Sequence, residues 1–268
     1  MCRISVIMGA YNVQNLWIFE KAINSVLRQT MQDFELIVCD DGSTDNTYQM
    51  LRRFARQDRR IRVIRSQKRC GLAAALNRCL FIARGDLIAR QDADDLSMPD
   101  RFRQQAAFLE RHPQISFVGT NVTLFDQNGS WGKRVLPPRP KKEDFLFTCP
   151  FVHGSLLFRR EAFMRAGVYR TGKQTLRAED YDLLMRMYAA GLRGANLQKA
   201  HYQFLEDQTA WKRRKYRYRF DEAIVRLHGF RQLGLLPKGL PYVVKPLAVG
   251  LVPPRILLRL KNGYTIQM

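Results

Sequence analysis

The sequence predicts an α/β fold: a mostly parallel sheet covered by helices on both faces, followed by a helical, basic C-terminal segment. Three observations carry this. Short apolar runs recur at residues 4–8, 34–39, 61–65, 87–91 and 115–120. Segments with helical spacing of apolar residues separate them. Beyond Trp211 the composition shifts to dense base interleaved with aromatic residues. Strands that alternate with helices of this length pair in parallel through right-handed crossovers.

The elements follow in order. Residues 4–8 read as a buried strand, and 9–15 as a loop. Phe19, Ala22, Ile23, Val26 and Leu27 then fall on one helical face. The strand at 34–39 ends in Asp40-Asp41-Gly42-Ser43-Thr44-Asp45, a turn that also supplies a helix N-cap. A helix at 47–56, a strand at 61–65, a helix at 72–83 and a strand at 87–91 continue the rhythm, which a helix at 101–111 and a strand at 115–120 complete. Residues 135–142, rich in proline and base, read as a connector. His153 and Gly154 precede an apolar run, and Glu179-Asp180 opens a helix whose apolar side carries Leu183, Leu184, Met187 and Tyr188.

A chain of 268 residues holds one large α/β domain or two small ones, and 46% hydrophobic with 26% charged residues describes an ordinary folded protein. Forty-five Lys and Arg against 24 Asp and Glu give a formal net charge of +21, which points to an anionic partner. Five cysteines without a C-x-x-C pair read as reduced thiols. The N-terminus runs into a strand with no apolar leader, and no run approaches 18 uncharged apolar residues, so the expected location is cytoplasmic.

Asp92-Ala93-Asp94-Asp95 is the sharpest chemical signal. Carboxylates this close raise one another's pKa unless a positive charge intervenes. Oxygen-only donors at a strand end suit Mg²⁺ or Mn²⁺. The competing reading is an acidic turn, with Asp95 or Ser97 capping a helix that starts near Pro99. Ligands in such sheets bind beyond the carboxyl ends of the strands. Ala10-Tyr11-Asn12, Asp40-Asp41 and Asp92-Ala93-Asp94 all fall there. No G-x-G-x-x-G follows a strand, and neither G-x-x-x-x-G-K-[ST] nor G-x-S-x-G occurs. What remains is a nucleotide site in which a metal neutralises the diphosphate and a separate carboxylate deprotonates an incoming hydroxyl.

The stretches Ser5 to Asn12, Phe34 to Asp45 and Gly71 to Asn77 resemble glycosyltransferase family 2, the inverting nucleotide-sugar transferases of GT-A fold. So do Gly85-Asp86, Asp92 to Asp95 with Pro99 and Arg101, and Glu179 to Leu183. The resemblance covers about residues 3–205 and implies a GT-A domain at 1–205, with a Rossmann-like nucleotide-binding half at 1–120 and an acceptor half at 121–205. It implies that Ala10, Tyr11 and Asn12 line the nucleotide pocket, with Asp41 on the base, Asp40 beside it, and Asn77 and Gln91 at its border. Asp92 would face ribose and metal, Asp94 would bind the metal, Glu179 would contact substrate, Asp180 would be the general base, and His153 would lie near the acceptor. Glu179 and Asp182 are expected to raise Asp180, with Arg177 opposing. Relatives often carry a histidine three residues after a tyrosine; here Tyr202 is followed at that spacing by Leu205, which puts a third protein ligand in question.

Residues 206–268 form the basic amphipathic segment. Trp211 to Arg219 is a basic and aromatic run, and residues 255–262 place Ile256, Leu257 and Leu260 opposite Arg255, Arg259 and Asn262. That pattern suits an in-plane helix on an anionic membrane. The expected enzyme is thus a cytoplasmic, membrane-peripheral transferase of cell-surface polysaccharide synthesis. It would move a hexosyl or hexosaminyl group from a nucleoside diphosphate sugar, UDP favoured, to a glycan or lipid-linked acceptor. No nucleic-acid partner is expected. A sugar-nucleotide-forming nucleotidyltransferase and a non-enzymatic basic nucleic-acid-binding protein are the alternatives.

Overall fold

The computed structural model describes residues 3–206 and 216–251. Its strands are β1 (Ile4–Ala10), β2 (Phe34–Asp40), β3 (Ile61–Arg65), β4 (Leu87–Arg90), β5 (Leu96–Ser97), β6 (Phe117–Asp126), β7 (Gly129–Arg134), β8 (Leu157–Arg159) and β9 (Gly194–Leu205). The helices are α1 (Leu16–Leu27), α2 (Thr47–Gln57), α3 (Leu72–Ile82), α4 (Arg101–Arg111), α5 (Arg160–Ala166), α6 (Glu179–Ala189), α7 (Arg217–Gln232) and α8 (Leu240–Leu251).

These strands form one sheet in the order β3-β2-β1-β4-β8-β6-β9-β5, with β7 paired to β6. The parallel character expected from the sequence holds through β3-β2-β1-β4. The second half is mixed: β8 runs antiparallel to β4 and β6, and β9 parallel to β6. The sheet thereby widens to carry a second set of loops beside those of the parallel half.

The period-2 alternation of the first strands sorts the core. In β1 and β2, Val6, Met8, Leu36 and Val38 meet Phe19 and Ile23 of α1, Leu51 of α2 and Phe102 of α4. Ile7, Ile37 and Cys39, pointing the other way, join Leu76 and Cys79 of α3, Leu183 and Leu184 of α6, and Val225 and Phe230 of α7. Helix α7 is therefore built into the core of the sheet's second face. Cys39, Cys70, Cys79 and Cys149 are free thiols.

Two local expectations change. The predicted strand at 115–120 begins at Phe117 and continues to Asp126, because it pairs along its length with β9. Neither Asp95 nor Ser97 caps a helix. Leu96-Ser97 pairs with β9, and α4 starts at Arg101 after Asp100. The basic run at 211–215 and the segment 255–262 lie outside the described residues.

Candidate active site

The centre of the site is the carboxyl end of β4, where Arg90 is fully buried. A charge inside a sheet requires partners. Arg90 Nη2 donates to Asp92 Oδ1 at 2.5 Å, and Nη1 donates to the Gln91 carbonyl. Burial opposes the Arg90 charge, but the Asp92 carboxylate bound to it holds the guanidinium above its ordinary value. Gln91 is buried below the loop. Its Nε2 donates to the carbonyls of Asp92 (3.1 Å) and Asp95 (2.8 Å), and its Oε1 accepts from Ser97 Oγ and Arg101 Nη1. Gln91 thus braces the acidic loop from beneath; its amide has no free face toward a nucleotide, contrary to the border role the resemblance implied.

Asp94 is exposed at the rim of this crowded recess, and desolvation followed by the Asp92 charge pushes its carboxyl up to about 6. Asp95 is buried. Its Oδ1 accepts from Leu205 N at 2.7 Å, while Oδ2 has no partner among the described residues. Burial, then Asp92 and Asp94, hold Asp95 well above the usual carboxylate range.

Three further segments converge here. In the short turn His153–Ser155, a Cβ on Gly154 would lie 2.3 Å from the Tyr202 hydroxyl and 2.6 Å from Asp92 Oδ2, so only glycine admits this approach. His153 Nε2 lies 2.8 Å from Tyr169 Oη, and burial, then the Arg90 charge, drive its pKa well below the ordinary value. The imidazole is neutral. Tyr202 Oη accepts from Asp92 N at 3.2 Å.

The third segment is the first turn of α6, where Glu179 and Asp180 enjoy the positive end of the helix dipole. Asp180 is half-buried, and its Oδ1 accepts from Tyr181 N at 2.8 Å. Burial raises it, and the Asp92 charge adds to this while Arg90 opposes it. Glu179 is pushed up to about 7, by burial first and then by Asp180. Asp182 plays no part: its carboxylate is bound to Arg170 (3.0 Å) and Arg186 (2.9 Å). The expectation that Asp182 raises Asp180 and Arg177 opposes it is replaced by Asp92 and Arg90.

At the ends of β1 and β2 lies a second polar group. Ala10 is buried and its carbonyl accepts from Asp41 N at 2.8 Å. Asn12, at φ 42°, takes Ser43 Oγ on its N–H and Thr44 N on Oδ1. Asp40 accepts from Ser43 N and pairs with Arg65 Nε at 3.2 Å. Tyr11 is half-exposed, with the Arg69 guanidinium 4.3 Å from its ring centroid. Both oxygens of Asp41 accept backbone N–H groups, from Cys70 (2.9 Å) and Gly71 (2.7 Å). A contact to a base would compete with these. Asn77 does not join this group: Nδ2 donates to the Tyr169 carbonyl and Oδ1 accepts from Tyr169 N. It pins the segment that brings Tyr169 to His153.

The structure thus gathers Asp92, Asp94, His153, Glu179 and Asp180 around Arg90, with Ala10, Tyr11, Asn12, Asp40 and Asp41 on the adjoining rim. Among the described residues no group of three His, Cys, Asp or Glu side chains is set to hold a metal. Asp92 and Asp94 nonetheless fit a hard divalent cation as oxygen donors whose mutual repulsion such a charge would relieve. Sequence reasoning missed Arg90 and Tyr169. Arg90 carried a signal, a charge within an otherwise apolar strand beside an acidic cluster; Tyr169 carried none.

Residues 5–167 match the family model described as "Glycosyl transferase family 2". The chain is 41% identical over 258 residues to the protein named "Putative glycosyltransferase EpsE" of Bacillus subtilis (strain 168), covering 96% of this chain and 92% of that one. It is 34% identical over 146 residues to the UDP-Glc:alpha-D-GlcNAc-diphosphoundecaprenol beta-1,3-glucosyltransferase WfgD of Escherichia coli, covering 54% of this chain and 56% of that one. Among solved structures, residues 1–349 of S. aureus TarS in complex with UDP-GlcNAc superpose with a TM-score of 0.67 at 19% identity, covering 95% of this chain and 82% of that one. At that identity the likeness concerns the fold.

Proposed function

This chain belongs to glycosyl transferase family 2 and is a glycosyltransferase; from that premise we propose that it is a metal-dependent, inverting enzyme using a nucleoside diphosphate sugar, UDP favoured. The observation that carries the reading is the meeting of Asp92 and Asp94 with Glu179 and Asp180 about one buried arginine. In this reading Asp92 and Asp94 hold Mg²⁺ or Mn²⁺. The cation, when bound, neutralises the diphosphate leaving group. Tyr11, Asn12 and the Asp40-Asp41 turn receive the nucleotide.

Asp180 takes the proton from the acceptor hydroxyl as that oxygen attacks the sugar carbon from the face opposite the diphosphate. A free aspartate is too weak a base at neutral pH, and burial here raises Asp180 toward the useful range. Glu179, beside it in the first turn of α6, contacts substrate. Neutral His153, fixed on Tyr169, has hydrogen-bonding capacity on the acceptor side without adding a competing positive charge.

The acceptor in this proposal is a glycan or lipid-linked saccharide of cell-surface polysaccharide synthesis, and WfgD, by its name, uses such a diphosphoundecaprenol-linked acceptor. Among the described residues no helix is long and apolar enough to cross a membrane. A peripheral position is supported by α8. Its exposed residues Leu240, Pro241, Val244, Lys245 and Ala248 recur at helical spacing, beside exposed Phe147 and Lys238. An apolar stripe with flanking base, on a chain of net charge +21, suits the anionic inner face of the cytoplasmic membrane.

The test is Asp180→Asn. It should keep the Mn²⁺-dependent thermal shift with UDP and lose turnover by at least about 100-fold. Wild-type turnover would remove Asp180 as base, and wild-type protein insensitive to UDP with Mn²⁺ would remove the donor assignment.

A further inference from the structure

We infer that the groove around Trp17 is a saccharide-binding subsite that holds the acceptor glycan away from its reacting end. The inference rests on the glycosyltransferase reading above. The groove is a cavity of 910 Å³ between the start of α1, β5, the end of β9 and the β6–β7 turn. Its apolar lining includes Leu96, Phe125, Leu205 and Trp17.

Trp17 is 61% exposed, a large apolar ring at the surface beside this groove. Lys21 Nζ stands 3.4 Å from the ring centroid, over one face of the indole. Asp126 and Asn128, at the β6–β7 turn, line the same groove. Asp126 Oδ1 accepts from Asn128 N at 2.8 Å, and the Asp126 carboxylate and Asn128 amide are of the kind that hydrogen-bond hydroxyls. An aromatic plate and short planar polar groups in one groove are the chemistry a pyranose ring recognises: apolar C–H faces stack, and hydroxyls bond amide and carboxylate.

Position favours an acceptor over an unrelated sugar. Leu96 directly follows Asp95, and Leu205 N donates to Asp95 Oδ1 at 2.7 Å. The groove is therefore joined to the acidic loop through one buried carboxylate. A chain of several sugar rings seated on Trp17 extends toward that loop.

The test uses the full chain and calorimetric titration with three tetrasaccharides: β-1,4-linked N-acetylglucosamine, β-1,3-linked glucose and maltotetraose. At least one should bind. Trp17→Ala should weaken that binding about tenfold and Trp17→Phe by no more than about threefold, as loss and retention of a stacking face require. The thermal shift with UDP and Mn²⁺ should be the same in all three proteins. Failure of every tetrasaccharide to bind, or undiminished binding by Trp17→Ala, overturns the subsite. So does a Trp17-dependent response to phosphatidylglycerol vesicles without a response to saccharide. A wild-type protein that binds tetrasaccharide but ignores UDP keeps the subsite and removes the donor reading.

Discussion

Replacing Gly154 by alanine adds one methyl group at the tightest point of the site. The new Cβ would sit 2.3 Å from the Tyr202 hydroxyl and 2.6 Å from Asp92 Oδ2. Opening these contacts to 3.0 Å requires movements of about 0.7 Å and about 0.4 Å. Neither neighbour gives easily. Tyr202 is fully buried, and Asp92 is tied to Arg90 and to the Tyr202 hydroxyl. Overpacking of this kind costs about 1–3 kcal/mol, and loss of the Asp92 N–H bond adds about 1 kcal/mol. The melting temperature should fall by about 5–10 °C. Displacing Asp92, the proposed metal-holding carboxylate, by a sizeable fraction of an ångström should cut kcat/KM by about 10- to 100-fold, with Mn²⁺ affinity falling in parallel. Gly172→Ala, where a Cβ meets nothing within 4 Å, is the control and should behave as wild type. Melting curves and steady-state turnover over a Mn²⁺ titration read both effects. Wild-type values for Gly154→Ala in both would refute the proposed packing of Asp92 against the His153 turn.

Arg90→Met should destabilise the fold by about 3 kcal/mol, read by urea denaturation, because it leaves Asp92 without its buried counter-charge. Turnover should rise with pH through about 7, since Glu179 is held near that value and Asp180 is raised with it; a kcat/KM profile flat from pH 6 to 8 would contradict this. The same raised carboxyls have a stability consequence of opposite sign. Asp94 and Glu179 titrate higher folded than unfolded, so their contribution is complete below the unfolded values and is lost as pH rises through about 6 to 7. Metal-free protein should therefore melt lower at pH 8 than at pH 6, and Mn²⁺ should narrow the gap, as scanning calorimetry would show. Lys238→Glu with Lys245→Glu should reduce sedimentation with phosphatidylglycerol vesicles several-fold at low salt, each lost base near an anionic surface being worth about 1 kcal/mol.

The near-continuous apolar runs at residues 4–8 and 34–39 made the parallel half of the sheet legible, because each of these strands is buried on both faces. The acidic loop was legible as well: four residues holding three carboxylates need an explanation wherever they fall. The antiparallel second half was not, since β8 is three residues long and β5 two, too short to show a period. Nor was the fate of each polar side chain. Gln91, Asp41 and Asn77 look alike as candidate ligand contacts, yet the structure spends the first on the underside of a loop and the second on two backbone donors. It spends the third on the segment carrying Tyr169.

By itself, then, the sequence determined the strand-helix rhythm, the acidic cluster at a strand end and the family, because these depend on residues near one another in the chain. Only the tertiary structure decided that Arg90 is the hub, that Gly154 must lack a side chain and that Asp182 is taken by Arg170 and Arg186. Those facts depend on which distant segments share a few cubic ångströms of desolvated space, where burial and neighbouring charge set what each group can do.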